Sequence, residues 1–309
     1  MNFVLIFLLS YGFTALLTPM FIRYLKRVKV TELPGKRRIL TEKIPRMGGL
    51  IIYIVVSFSW LYFYPELNET RPLLISSFFI FLLGLFDDTL GLSYRTKLLS
   101  QIVVAIIITF YLSQKYLHLL LFGIVIPKPF DHLVLCSFIT IAITSINSLD
   151  GQDGIEGLVS NVSLINYSVI LFLTISYQSV LLATLIVSLI GSTLAFLKYN
   201  NYPTRIILGD TGSLIIGYFL VLCSLLVSLN RNTYVLDLSL PLILLSLPVI
   251  DVIRVISQSI FEGHLPSLSY RIHIHHLISQ IFDSKKSAVI FIEVLTSISV
   301  VISFFYIIG

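Results

Sequence analysis

Ten apolar runs set the terms on which this chain can fold. They fall at residues 2–22, 47–64, 71–86, 98–117, 131–147, 158–176, 178–197, 211–229, 239–257 and 287–308. A helix needs about 20 apolar residues to cross a hydrocarbon core about 30 Å thick, with a working range of about 17 to 25. Most of the runs satisfy that ruler and the shorter ones come close. Only 12% of the residues are charged, against roughly 25% in an average soluble domain, which excludes a water-facing globule. The expected fold is therefore an all-α integral membrane protein, a single polytopic domain over 1–309 with about ten transmembrane helices. Residues 178–197 follow 158–176 so closely that the two read as a tight helical hairpin. Residues 2–22 lack a preceding basic residue and a small-residue cleavage site, so they read as the first membrane helix rather than a removable leader.

The net charge of +5 raises nucleic acid as a partner, and the distribution of the basic residues argues against it. Residues 23–46 alone hold nine of them: Arg23, Lys26, Arg27, Lys29, Lys36, Arg37, Arg38, Lys43 and Arg46. Alternating the spans puts 17 of the 21 Lys and Arg residues on that side and leaves Arg71, Lys115, Lys128 and Arg231 on the other. The positive-inside rule then makes the 23–46 side cytoplasmic and places both termini outside. The expected location is the inner (plasma) membrane, with the bilayer as a partner and no nucleic acid. Cys136 and Cys223 lie inside apolar runs and suit packing better than a disulfide or a zinc site.

Polar clusters gather on the inner side. Asp87-Asp88 ends the third run; adjacent carboxylates repel and are costly to desolvate, so they favour a cation or a basic partner. Magnesium, which takes one or two carboxylates plus phosphate oxygens, suits such a pair. Asn147 to Gly154 carries Asp150 and Asp153, each followed by glycine, in a turn-rich acidic loop able to coordinate metal or read a ribose or base. Asp210, between Gly209 and Thr211-Gly212, opens the eighth run, where unpaired helix amides favour an anion; a plain N-cap is the alternative. Arg271-Ile272-His273-Ile274-His275-His276 could hold zinc or donate to phosphate, and on a helix His273 and His276 would share a face. Arg46, in Pro45-Arg46-Met47-Gly48-Gly49, and Lys97 are candidate phosphate ligands. Glu293 lies about two turns into the last run with no role assigned.

Taken together, these motifs resemble the polyprenyl-phosphate N-acetylhexosamine-1-phosphate transferases, which include undecaprenyl-phosphate GlcNAc-1-phosphate transferases and phospho-MurNAc-pentapeptide translocases. The resemblance runs from about Pro34 to His276, through Asp87-Asp88, Lys97, Asn147 to Gly154, Gly209 to Leu214, Asp251, Gly263 and the histidine segment. It implies that a polyprenyl phosphate attacks a UDP-N-acetylhexosamine, releasing UMP and leaving a lipid diphosphate sugar for envelope polysaccharide synthesis. It implies Mg2+, with Mn2+ as a substitute, held by Asp210 with Asp87. Asp87, Asp88 and Asp210 would be catalytic, Asp87 engaging or deprotonating the lipid phosphate. Arg46, Lys97, Asn147, Asp150, Asp153, Arg271, His273, His275 and His276 would bind substrate. A homodimer is an open option. The His-Ile-His-His form favours a UDP-GlcNAc-like donor, and Ile207 stands where many members carry an aromatic residue. The competing class is an ion- or proton-coupled secondary transporter, whose sites usually lie at the bilayer midplane.

Overall fold

The computed structural model describes residues 2–28, 30–32, 44–64, 67–150, 157–177, 179–201, 203–230, 232–262, 273–282 and 285–308. Helices dominate them: α1 Phe3–Arg27, α2 Gly49–Phe63, α3 Leu67–Leu90, α4 Tyr94–Ser113, α5 Phe130–Leu149, α6 Leu158–Tyr177, α7 Val180–Asn200, α8 Gly209–Ser228, α9 Ser239–Leu244, α10 Ser246–Phe261, α11 Ile274–Ile281 and α12 Lys285–Ile308. Among the described residues, seven helices are long and apolar enough to cross a membrane: α1, α3, α4, α5, α7, α8 and α12. The protein is a multi-pass, all-α membrane protein. α2 and the apolar part of α6 are shorter apolar helices, and α6 and α7 form the expected hairpin.

Two of the sequence expectations are corrected. Residues 239–257 do not form one continuous helix; they divide at Leu245 into α9 and α10. Pro248 lacks the amide hydrogen that would bond back to Leu244, which opens the ladder at the break. The third helix does not end at Asp87-Asp88 but continues to Leu90. The two aspartates are therefore consecutive helical residues, pointing about 100° apart.

The centre of the bundle is α8, which packs against α2, α3, α5, α6 and α7. A helix apolar on all sides belongs in a core, and every residue of α8 is buried except Asp210, Leu226 and Ser228. At its N-terminal end the neighbouring backbones come very close. A Cβ on Gly49 would stand 2.0 Å from Gly212 Cα, and one on Gly84 would stand 2.5 Å from Thr211 Cα. Glycine is required at both places because α2 and α3 approach the first turn of α8 backbone to backbone.

The opposite end of α8 runs into a small sheet. Strands β3 His118–Leu121, β4 Ile124–Ile126, β5 Leu229–Asn230 and β6 Val235–Asp237 assemble in the order β4-β3-β6-β5. β3 pairs antiparallel with β4 and parallel with β6, with Leu119 opposite Leu236. Two short loops that the sequence left without structure are thus stitched together. At the other end, β1 Thr31–Glu32 pairs antiparallel with β2 Ile44–Pro45.

Candidate active site

The chain enters α2 through a turn that sets one wall of the site. After β2, Met47 adopts φ 78°, a left-handed conformation costing a non-glycine residue about 1–2 kcal/mol. The turn is held by three backbone bonds to the segment entering α8: Ile207 N–H to Pro45 O (2.8 Å), Gly48 N–H to Ile207 O (3.0 Å) and Gly49 N–H to Leu208 O (3.0 Å). Arg46 is thereby delivered to the first turn of α8 from more than 160 residues away in sequence.

That first turn begins at Gly209 with φ 75°, and its cap comes from another helix. Asp88 Oδ1 accepts from the Asp210 amide at 2.9 Å, while Oδ2 accepts from the Thr211 amide at 2.9 Å and from Thr211 Oγ1 at 2.5 Å. Arg46 Nε lies 2.7 Å from Asp88 Oδ1, and the Asp88 side chain is fully buried. A carboxylate accepting helix amides is the arrangement a helix N-terminus favours. Asp210 is consequently not the cap of its own helix, and its carboxylate points elsewhere.

Both oxygens of Asp210 meet cations. Oδ2 pairs closely with Arg46 Nη2, and Oδ1 lies 3.5 Å from Lys97 Nζ. Lys97, in the first turn of α4, also pairs closely with Asp87 Oδ2, whose Oδ1 accepts from the Leu92 amide at 2.8 Å. Three carboxylates and two bases are thus joined in one network through Arg46 and Lys97. Of the three acids, Asp210 is the most exposed, at 17% of its side chain, against 3% for Asp87. Asn147, at the end of α5, accepts from Ser213 Oγ at 2.6 Å, so the head of the acidic loop touches the same turn of α8. Asp150 ends α5 with its amide on Asn147 O. Asp153 lies outside the described residues.

A second group sits on α10, which packs against α5. Asp251, 1% exposed, accepts from Arg254 Nε (3.2 Å) and Nη2 (2.7 Å) and from the Ile274 amide (3.0 Å), and lies 2.8 Å from His273 Nδ1. His273 precedes α11 in extended conformation, with φ −71° and ψ 163°. It is the residue before the helix, so the shared helical face expected of His273 and His276 does not exist. Of His275 and His276 the backbone is placed, in the first turn of α11; Arg271 lies outside the described residues.

Sequence reasoning had Asp251 in its motif run without a role, counted Arg254 only as a basic residue, and did not single out Thr211 or Ser213. An Asp and an Arg three apart in an apolar helix was the available signal for the α10 pair. For a divalent cation the donors fit: Asp87 and Asp210 supply hard carboxylate oxygens joined through one lysine. Among the described residues, no three His, Cys, Asp or Glu side chains converge as a full cage. Magnesium commonly takes one or two carboxylates and completes its shell with phosphate and water.

Comparison with known proteins identifies relatives of this chain. The model of "Glycosyl transferase family 4" matches residues 71–228, the stretch from α3 to α8 that carries Asp87, Asp88, Lys97, Asn147 and Asp210. A probable undecaprenyl-phosphate N-acetylglucosaminyl 1-phosphate transferase of Bacillus subtilis (strain 168) is 32% identical over 277 residues, 88% of this chain and 76% of that relative. A phospho-N-acetylmuramoyl-pentapeptide-transferase of Clostridium acetobutylicum is 27% identical over 96% of both chains. Another of that description, from Caldanaerobacter subterraneus subsp. tengcongensis, is 30% identical over 81% of this chain and 80% of its own. The chain belongs to glycosyl transferase family 4, the polyprenyl-phosphate sugar-1-phosphate transferases that its motifs resemble.

Proposed function

We propose that this protein transfers N-acetylhexosamine 1-phosphate from a UDP-sugar to a polyprenyl phosphate. The observation that carries the reading is the Asp87–Lys97–Asp210–Arg46–Asp88 network at the N-terminus of α8, where the core helix presents one partly exposed acid. An oxygen of the lipid phosphate attacks the sugar-bearing phosphorus of the donor, that phosphorus loses its bond to UMP, and UMP leaves with the electron pair. Phosphoryl transfer of this kind needs positioning and charge neutralisation more than covalent help.

Each residue then has a task. Asp210, with Asp87, would hold magnesium, with manganese as a substitute, and the ion would neutralise charge on the donor's diphosphate. Lys97 and Arg46 hold the acids apart before substrate binds and turn to phosphate oxygens when it does. Asp87 engages the lipid phosphate and takes its proton where it carries one. Asp88 is the positioning residue of the three, since its oxygens are committed to the α8 cap and Arg46. Asn147, Asp150 and Asp153 hold the nucleotide, while Arg271, His273, His275 and His276 contact the diphosphate or sugar. The His-Ile-His-His form and the Bacillus relative's name favour a GlcNAc-like donor.

We further place the site at the cytoplasmic face of the plasma membrane, on the strength of the basic-residue asymmetry, with ten crossings and both termini outside. A secondary transporter is not supported, because the family is one of transferases and the acids lie at helix ends.

The test is lipid-dependent UMP release by the purified protein with polyprenyl phosphate, magnesium and a panel of UDP-sugars. Release is expected with a UDP-N-acetylhexosamine and lost on chelation. A folded sample that releases no UMP from any donor would overturn the reading.

A further inference from the structure

We propose that Glu293, inside the last membrane helix, is a positioning residue for donor binding that acts through Asn161 on the first turn of α6. This rests on the transferase reading above. A carboxylate within an apolar span is costly and is expected to have a named partner. Here Asn161 Nδ2 donates to Glu293 Oε1 at 2.6 Å, joining α12 to the first turn of α6. In that turn the Asn161 amide bonds to Gly157 O at 2.8 Å. Gly157, at φ 86°, abuts the end of α7, where a Cβ would come within 2.0 Å of Asn201 Oδ1. The first turn of α6 is therefore gripped from two sides.

That grip matters because of what the two helices follow. In sequence, Gly157 follows the acidic motif and Asp150, closing α5, lies within it. α12 follows α11 and packs against it, and α11 begins at the histidine segment. One hydrogen bond thus ties the helix after the acidic motif to α12, the helix packed on α11. Both segments are assigned to the sugar nucleotide, and neither Glu293 nor Asn161 belongs to the network around Asp210. Loosening the tie should weaken donor binding and leave the chemical step in place.

The experiment measures kcat and KM, for the UDP-sugar and for polyprenyl phosphate, in the full-length protein and in Glu293→Leu, Glu293→Gln, Asn161→Ala and the Leu/Ala double variant. Glu293→Leu and Asn161→Ala should each raise donor KM about three- to tenfold, the range to which one interhelical hydrogen bond in a membrane converts. The double variant should be no worse than either single, and Glu293→Gln, whose amide oxygen still accepts, should stay near the parent. Where Glu293→Leu does not fold, Asn161→Ala and Glu293→Gln decide the matter. Unchanged donor KM, a uniform fall in all parameters, additive effects, or a Gln variant as impaired as Leu would each overturn the proposal. A parent protein that turns over no donor would overturn the transferase reading and this proposal with it.

Discussion

Two corners of this bundle are built by the same device and present different chemistry. In each, a buried aspartate on one helix caps the N-terminus of another and holds an arginine: Asp88 for α8 with Arg46, Asp251 for α11 with Arg254. The caps place a different residue at each corner. At α8 the residue presented is Asp210, and three acids outnumber two bases, a balance that draws cations. At α11 it is His273, and one acid is matched by one guanidinium beside an imidazole, with no excess of negative charge. Under the proposed reaction, the donor's diphosphate and its metal would be shared between these two corners.

The largest effect should come from the group the first corner exists to present. Asp210→Asn keeps the shape and removes the charge, and kcat should fall about a thousandfold, the scale of losing one preorganised electrostatic group, with thermal stability unchanged. Near-normal turnover would remove Asp210 from its assigned role. The capping aspartates should behave in the opposite way. Asp88→Ala leaves two amides and Arg46 without their acceptor and should cost about 3 kcal/mol, read as a lowered unfolding temperature in detergent. Asp251→Ala should do the same at the other corner; if either variant loses activity at full stability, the shared device is the wrong description of that corner. Gly49→Ala forces a methyl against Gly212 and should cost about 1–3 kcal/mol by the same measurement, with Gly12→Ala, where a Cβ meets nothing within 4 Å, as the neutral control. The smallest effect is expected of Ser213→Ala, which removes the bond to Asn147 at about 1 kcal/mol, visible as a modest rise in donor KM.

The reading of the chain alone reached the membrane class, the helical hairpin and the segments that meet at the start of α8, because each rests on a local signal: an apolar run, an Asp pair, a glycine beside an acid. What it missed is nonlocal. That Asp88 rather than Asp210 caps α8 depends on two helices meeting through Gly84 and Thr211, and hydropathy does not encode which helices meet. The ninth run was read as continuous because proline leaves its hydropathy intact while removing one hydrogen bond. The sheet escaped because its strands are two to four residues long, and two of them, β3 and β5, begin where apolar runs end. Spacing alone would let His273 share a helical face with His276, but the aspartate that sets where α11 starts lies 22 residues earlier.

The stitching at the far end of α8 bears on how the protein can move. β5 follows Ser228 without a break and is paired to β6, while the near end of the same helix is pinned by Asp88. A slide of α8 by a single residue, about 1.5 Å along its axis, would break the pairing at one end and the cap at the other. Piston-like travel is therefore denied to the helix that carries Asp210. For any rearrangement among its neighbours, α8 is a stationary axle.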